Sequence, residues 1–128
     1  MKQKKNNNPR NNQANSQATK LQAIDNWLKK EPENTEEREA QALTALIVET
    51  GMKVTETVRL RDEDLVSWKK LRVRAKDGST RIVTYGERTI KHFLTWYYDT
   101  GLRPCLLGED YIHDIIWKYA APNTTGAK

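Results

Sequence analysis

The apolar residues of this chain change their period twice. Between residues 20 and 50 they recur every three or four positions, between 65 and 85 they alternate, and from 88 onward the helical spacing returns. Leu21, Ile24, Trp27 and Leu28 define a first helix from Lys20 to about Lys30, with Thr19 as its cap and Pro32 as its end. Asn34, followed three residues later by Glu37, has the form of a capping box for a second helix. Glu36, Glu37 and Glu39 complement the positive pole of that helix. Its apolar face consists of Ala40, Leu43, Leu46, Ile47 and Thr50, and Gly51 follows as a left-handed stop. Thr55 is expected to cap a short third helix that carries Val58 and reaches Leu60 or Arg61.

The acidic turn Asp62-Glu63-Asp64 leads into the alternating region, which predicts three strands. The first runs from Leu65 to Trp68, the second from Leu71 to Lys76 and the third from Thr80 to Tyr85. The second strand alternates cleanly, with Leu71, Val73 and Ala75 on one face and Arg72, Arg74 and Lys76 on the other. Asp77-Gly78 is a hairpin signal. Residues 88–100 then place Ile90, Phe93, Leu94, Tyr97 and Tyr98 on one helical stripe ended by Gly101. Residues 110–121 repeat the spacing with Ile112, Ile115, Ile116, Tyr119 and Ala120 up to Pro122. These stripes, with Trp96 and Trp117, are expected in the core. The fold class is α+β: a mostly helical domain with a small three-stranded antiparallel sheet. It occupies residues 19–121, preceded by a disordered, basic, Asn/Gln-rich tail (1–18) and followed by a frayed C-terminus (122–128).

Composition narrows this reading without redirecting it. The 128 residues suit one domain, and no apolar run approaches a membrane span or a signal-peptide core. The single Cys105 excludes an internal disulfide and a Cys-based zinc site, and is expected to be a small buried hydrophobe. His92 and His113 are expected at the surface or its boundary, and no cofactor is called for. The expected compartment is the cytoplasm.

Charge changes the picture more. The net charge is +5, and residues 1–20 carry five cations and no acid. Residues 21–65 hold six cations against eleven acids, whereas residues 66–103 hold nine against three. Such polarisation favours one face meeting a polyanion. Lys53 and Lys76 sit at the two turns of the central unit, and Arg72, Arg74 and Lys76 line one strand face near Lys69, Lys70 and Arg81. These seven residues are the candidate DNA-binding set, acting mainly on phosphates. The plainer alternative is a solvated polar face. Arg59 and Arg61 are expected to pair with Asp62, Glu63 or Asp64, and Glu56 to serve as a structural acceptor.

Taken in order, these segments resemble the catalytic domain of the tyrosine recombinase (phage integrase) family. ETGMKVTETVRLRDEDL resembles that family's helix stop, short helix and acidic turn; LRVRAKDGSTRIVTY resembles its hairpin; YGERTIKHFLTWYY and YIHDIIWKYA resemble its next two helices. The resemblance spans roughly residues 19–121. It implies that Lys76 corresponds to the hairpin lysine, that Glu56 corresponds to the acid of the short-helix motif, and that Lys53 stands where the family has its first catalytic arginine. Lysine lacks the planar fork of arginine. The family's His-x-x-Arg motif and nucleophilic tyrosine have no counterpart here, since neither His92 nor His113 has an arginine three residues on. The expectation is therefore not an enzyme, but a non-catalytic DNA-binding regulator or accessory factor of a phage or other mobile element, connected with DNA recombination. The alternative is a protein-interaction module that self-associates or binds a full-length recombinase or a transcription regulator, using Tyr97, Tyr98, Trp117 and Tyr119. Two further readings carry less: an active site completed by another chain, and a helix-turn-helix reader built on residues 40–61.

Overall fold

The computed structural model describes residues 20–122. The tail assigned to residues 1–18, the Thr19 cap and residues 123–128 lie outside the described residues. Helix α1 spans 20–29, and Trp27 and Leu28 are buried on it while Leu21 is exposed. Helix α2 (Thr35–Thr50) begins as its sequence requires, with the Glu37 amide donating to Asn34 Oδ1 at 2.8 Å. The Glu37 carboxylate does not close the box on Asn34. It accepts the Glu33 amide at 2.8 Å and the Trp27 indole N–H at 2.8 Å, so the large ring is buried with its polar atom satisfied. Gln41 finishes the end of α1 by donating to the carbonyls of Trp27 and Lys30. Gly51 takes φ +73, where a Cβ is penalised, and stops α2.

Helix α3 is shorter than expected, Val54–Thr57, and its cap is Lys53 rather than Thr55. A 3₁₀ turn (Asp62–Asp64) follows. The sheet has two strands, not three. Strand β1 (Lys70–Arg74) pairs antiparallel with β2 (Thr80–Thr84), placing Arg72 opposite Ile82 and Val73 opposite Arg81. The segment 65–68 contributes only an isolated bridge, Ser67 with Lys70. Its alternation comes from a tight return into β1, in which Val66 and Trp68 stay exposed and no neighbouring strand receives their backbone groups.

Helices α4 (Glu87–Thr89) and α5 (Thr95–Thr100) are joined without a break through a π-helical turn (Ile90–Leu94). Glu49 of α2 fastens this helix by accepting the Gly86 amide at 2.7 Å and the Thr89 hydroxyl. A short helix that the periodicity did not reveal, α6 (Pro104–Leu107), precedes α7 (Glu109–Tyr119).

Helix α2 contacts both α7 and the 87–100 helix, and it is buried nearly all round from Glu39 to Leu46. The core gathers Trp27, Leu43, Leu46, Leu71, Val73, Phe93, Trp96, Tyr97 and Ile112 around it. Three expectations are corrected here. Trp117 and Tyr98 face solvent, 75% and 68% exposed, because their positions on α7 and α5 point away from α2. Cys105 is exposed on α6 rather than buried. No helix among the described residues is long and apolar enough to cross a membrane.

Candidate nucleic-acid interface

The fold sorts the seven candidate cations into three groups. Lys53 follows the stop of α2, and Lys76 opens the turn between β1 and β2, a turn that Gly78 permits with φ +91. Although 23 positions apart in sequence, the two lysines line one cleft of about 280 Å³, together with Thr55, Glu56, Ala75 and Asp77. Behind it lies Glu56, 6% exposed, which accepts the Lys53 amide at 2.9 Å and two bonds from Arg81 at 3.0 and 3.1 Å. The Arg81 hydrogen bonds hold the Glu56 carboxyl below its ordinary value against the opposing effect of burial. Glu56 is thus a structural acceptor that ties α3 to β2. Asp77 Oδ1 is taken by the Ser79 hydroxyl and amide at 2.7 and 2.9 Å, which close the turn and lower its pKa.

The second group departs from the expected ridge. Arg72 and Arg74 turn to Asp64, whose side chain is fully buried. Arg74 donates to it from Nε at 3.0 Å and from Nη2 at 2.9 Å, and Arg72 Nη1 lies 3.4 Å away. Asp64 also accepts the Arg61 amide at 3.0 Å. Burial pushes its carboxyl up, and the bonds from Arg74, Arg61 and Arg72 outweigh that, holding it below the ordinary value. Arg81 is not beside these arginines, because its register opposite Val73 puts it on the other face of the sheet. The continuous stripe Arg72–Arg74–Lys76 is therefore corrected to two arginines half-engaged by a carboxylate and one lysine at the cleft.

Lys69 and Lys70 form the third group, at the far end of β1. The five residues of β1, about 13 Å from Lys70 to Arg74, together with Ala75 separate Lys70 from Lys76. Lys69 Nζ stands 4.7 Å from the centre of the Trp68 ring, which is 62% exposed. Lys53, Lys69, Lys70 and Lys76 have no carboxylate within ion-pair reach among the described residues.

The acidic turn does more than flank the hairpin. Only the Arg61–Glu63 contact, 3.9 Å and exposed, follows the expected local pairing. Asp62 instead accepts Arg103 Nε at 2.7 Å and the Tyr97 hydroxyl, with the Arg103 guanidinium 3.7 Å over the Tyr97 ring. Arg59 and Arg61 open on a separate cleft of about 250 Å³ shared with Arg74 and Cys105. Asp64 carried one readable sign, an acid three residues after Arg61 in a turn, but its partners on β1 did not. Among the described residues no group of His, Cys, Asp and Glu is arranged to hold a metal ion. His92 is half-buried and His113 is exposed, 3.9 Å from Glu109. Comparison of the chain with protein-family models, with curated proteins and with solved structures found no match.

Proposed function

We propose that this chain binds DNA without cutting it, on a shortened scaffold of the tyrosine-recombinase kind, and acts as a regulator or accessory factor of a phage or other mobile element. The observation that carries the reading is the convergence of Lys53 and Lys76 on one open cleft. Both residues are placed on its lining by a turn on each side, and the nearest buried acid, Glu56, is already bound to Arg81. Two lysines on one cleft, without an ion-pair partner among the described residues, suit a phosphodiester backbone. Lys69 and Lys70 extend the contact along the hairpin, and exposed Trp68 offers a flat face beside them. Arg72 and Arg74, engaged by Asp64, and Arg81, engaged by Glu56, hold the cationic loops in place.

The non-cleaving part of the proposal rests on Lys53, which supplies no bidentate fork, and on two histidines set on helices away from the cleft. A fluorescence anisotropy titration of duplex DNA across salt concentrations tests the binding. Lys53→Ala with Lys76→Ala removes two phosphate contacts and flattens the slope of log K against log salt by about 1.8. Unchanged affinity and slope in that variant sink the assignment. A suicide DNA substrate checks the other half, with no covalent adduct expected.

Tyr97, expected on the surface of a protein-interaction module, is buried. The exposure of Tyr98 and Trp117, with Leu106, nevertheless favours that second reading, a module that self-associates or binds a recombinase or a transcription regulator. Light scattering separates the two: a strict monomer that binds DNA speaks against the second.

A further inference from the structure

A second cationic cleft, of about 340 Å³, lies at the opposite end of α2. Ten residues of helix, about 15 Å, run from Gln41 on its wall to Gly51 beside Lys53. Its cations come from three elements that are distant in sequence. Lys29 and Lys30 stand at the end of α1, Arg38 on the first turns of α2, and Lys91 on the π-helical turn.

The acids around this cleft are largely spoken for. Glu37 faces inward to the Trp27 indole and the Glu33 amide, Asp25 binds Arg88, and Asp99 binds Arg38 at 2.9 Å through a single nitrogen. That leaves the rest of the Arg38 fork free for an oxyanion. Glu31 is the acid on the lining itself. Lys29, Lys30 and Lys91 are exposed and have no carboxylate within ion-pair reach among the described residues.

The floor is built rather than incidental. Gln41, 1% exposed, is pinned by its bonds to the Trp27 and Lys30 carbonyls. His92 is half-buried and bonded to the Leu28 carbonyl, and burial lowers its pKa. The widened turn that carries Lys91 and His92 is a π segment, a device frequent at functional sites. Thr95 Oγ1 reaches the Ile90 carbonyl that this turn displaces, at 3.5 Å.

We propose that this cleft is a separate phosphate-binding site, in which Lys29, Lys30, Arg38 and Lys91 take the oxygens of a phosphate group on a ligand no larger than a mononucleotide or a single backbone unit. It does not depend on the Lys53–Lys76 cleft, although a nucleic acid spanning both ends of α2 engages the two together.

Amide chemical shifts of the full chain, titrated with inorganic phosphate, with AMP and with duplex DNA, test it. Saturable shifts are expected at residues 28–32, 38 and 91–95. Lys29→Ala with Lys30→Ala and Lys91→Ala weakens phosphate binding at least tenfold with an unchanged circular dichroism spectrum. Lys53→Ala with Lys76→Ala leaves these shifts in place. AMP binding tenfold tighter than phosphate identifies a nucleotide as the source, and equal binding with the same shifts from the duplex identifies backbone phosphate. No saturable shift with any probe, or equal binding by the triple variant, overturns the site. DNA binding that persists while phosphate leaves residues 28–32 and 91–95 untouched overturns this inference alone. Absence of duplex binding by the unmutated chain, with the phosphate shifts intact, overturns the earlier reading alone.

Discussion

Replacing Asp64 with asparagine separates the two things its carboxylate does, which are to anchor the sheet and to hold back two arginines. The side chain is fully buried and accepts from Arg74 at 2.9–3.0 Å, from the Arg61 amide at 3.0 Å and from Arg72 at 3.4 Å. Asparagine keeps the shape and one acceptor, but it removes the charge and turns an amide N–H toward a guanidinium. A hydrogen bond to a charged group contributes about 1.5–3 kcal/mol, and breaking a fully buried pair costs about 3–5 kcal/mol. Here the arginines keep 36% and 30% exposure and turn to water when released, so the larger figure does not apply. The expected loss is about 2–3 kcal/mol, or about 10–20 °C in Tm for a domain of this size.

Urea unfolding followed by circular dichroism measures that loss, and pH gives it a signature. The folded-state carboxyl titrates below its unfolded value, so its stabilisation is present above about pH 4 and fades as pH falls through the folded value. The difference between wild type and Asp64→Asn therefore closes in acid. In the anisotropy assay the freed Arg72 and Arg74 reach phosphate, and the salt slope steepens by about 0.9 for each new contact. A variant as stable as wild type at pH 7 refutes the buried anchor. One that is destabilised, with affinity and slope unchanged, refutes the claim that Asp64 restrains these arginines.

Other expectations are simpler. Gly51→Ala costs about 1–2 kcal/mol in chemical unfolding, all of it backbone strain at φ +73, since beyond its chain neighbours nothing lies within 4 Å of the added methyl. Trp27→Ala costs about 3–5 kcal/mol, because it empties a core position and removes the indole donor from Glu37 Oε2. Trp117→Ala changes stability by no more than about 0.5 kcal/mol; a larger loss places that ring in an interior the fold does not give it.

The helices were the most legible part of this chain. Asn34, Gly51 and Gly101 mark their ends by local backbone chemistry, and each sits at its cap in the structure. The first strand misled because Leu65 to Trp68 has the right alternation but no partner for its backbone, and pairing is not encoded in period. The stripe of Arg72, Arg74 and Lys76 misled in a related way. Strand parity places side chains on a face, but it says nothing of what that face meets, and this one meets Asp64. Trp117 and Cys105 misled because apolar character alone does not specify which side of a helix is covered.

By itself the sequence determined the helical segments, the hairpin turn at Asp77-Gly78 and the concentration of cations after residue 66, all of which depend on neighbours a few positions away. Tertiary structure decided which of those charges remain available. It brought Lys53 to Lys76, committed Arg81 to Glu56 and Arg72 and Arg74 to Asp64, and assembled Lys29, Lys30, Arg38 and Lys91 at the other end of α2. The physical reason is distance. Capping and periodicity act within a turn or two of chain, whereas a charge is neutralised or left free by whatever packs within about 4 Å of it, wherever that residue stands in the sequence.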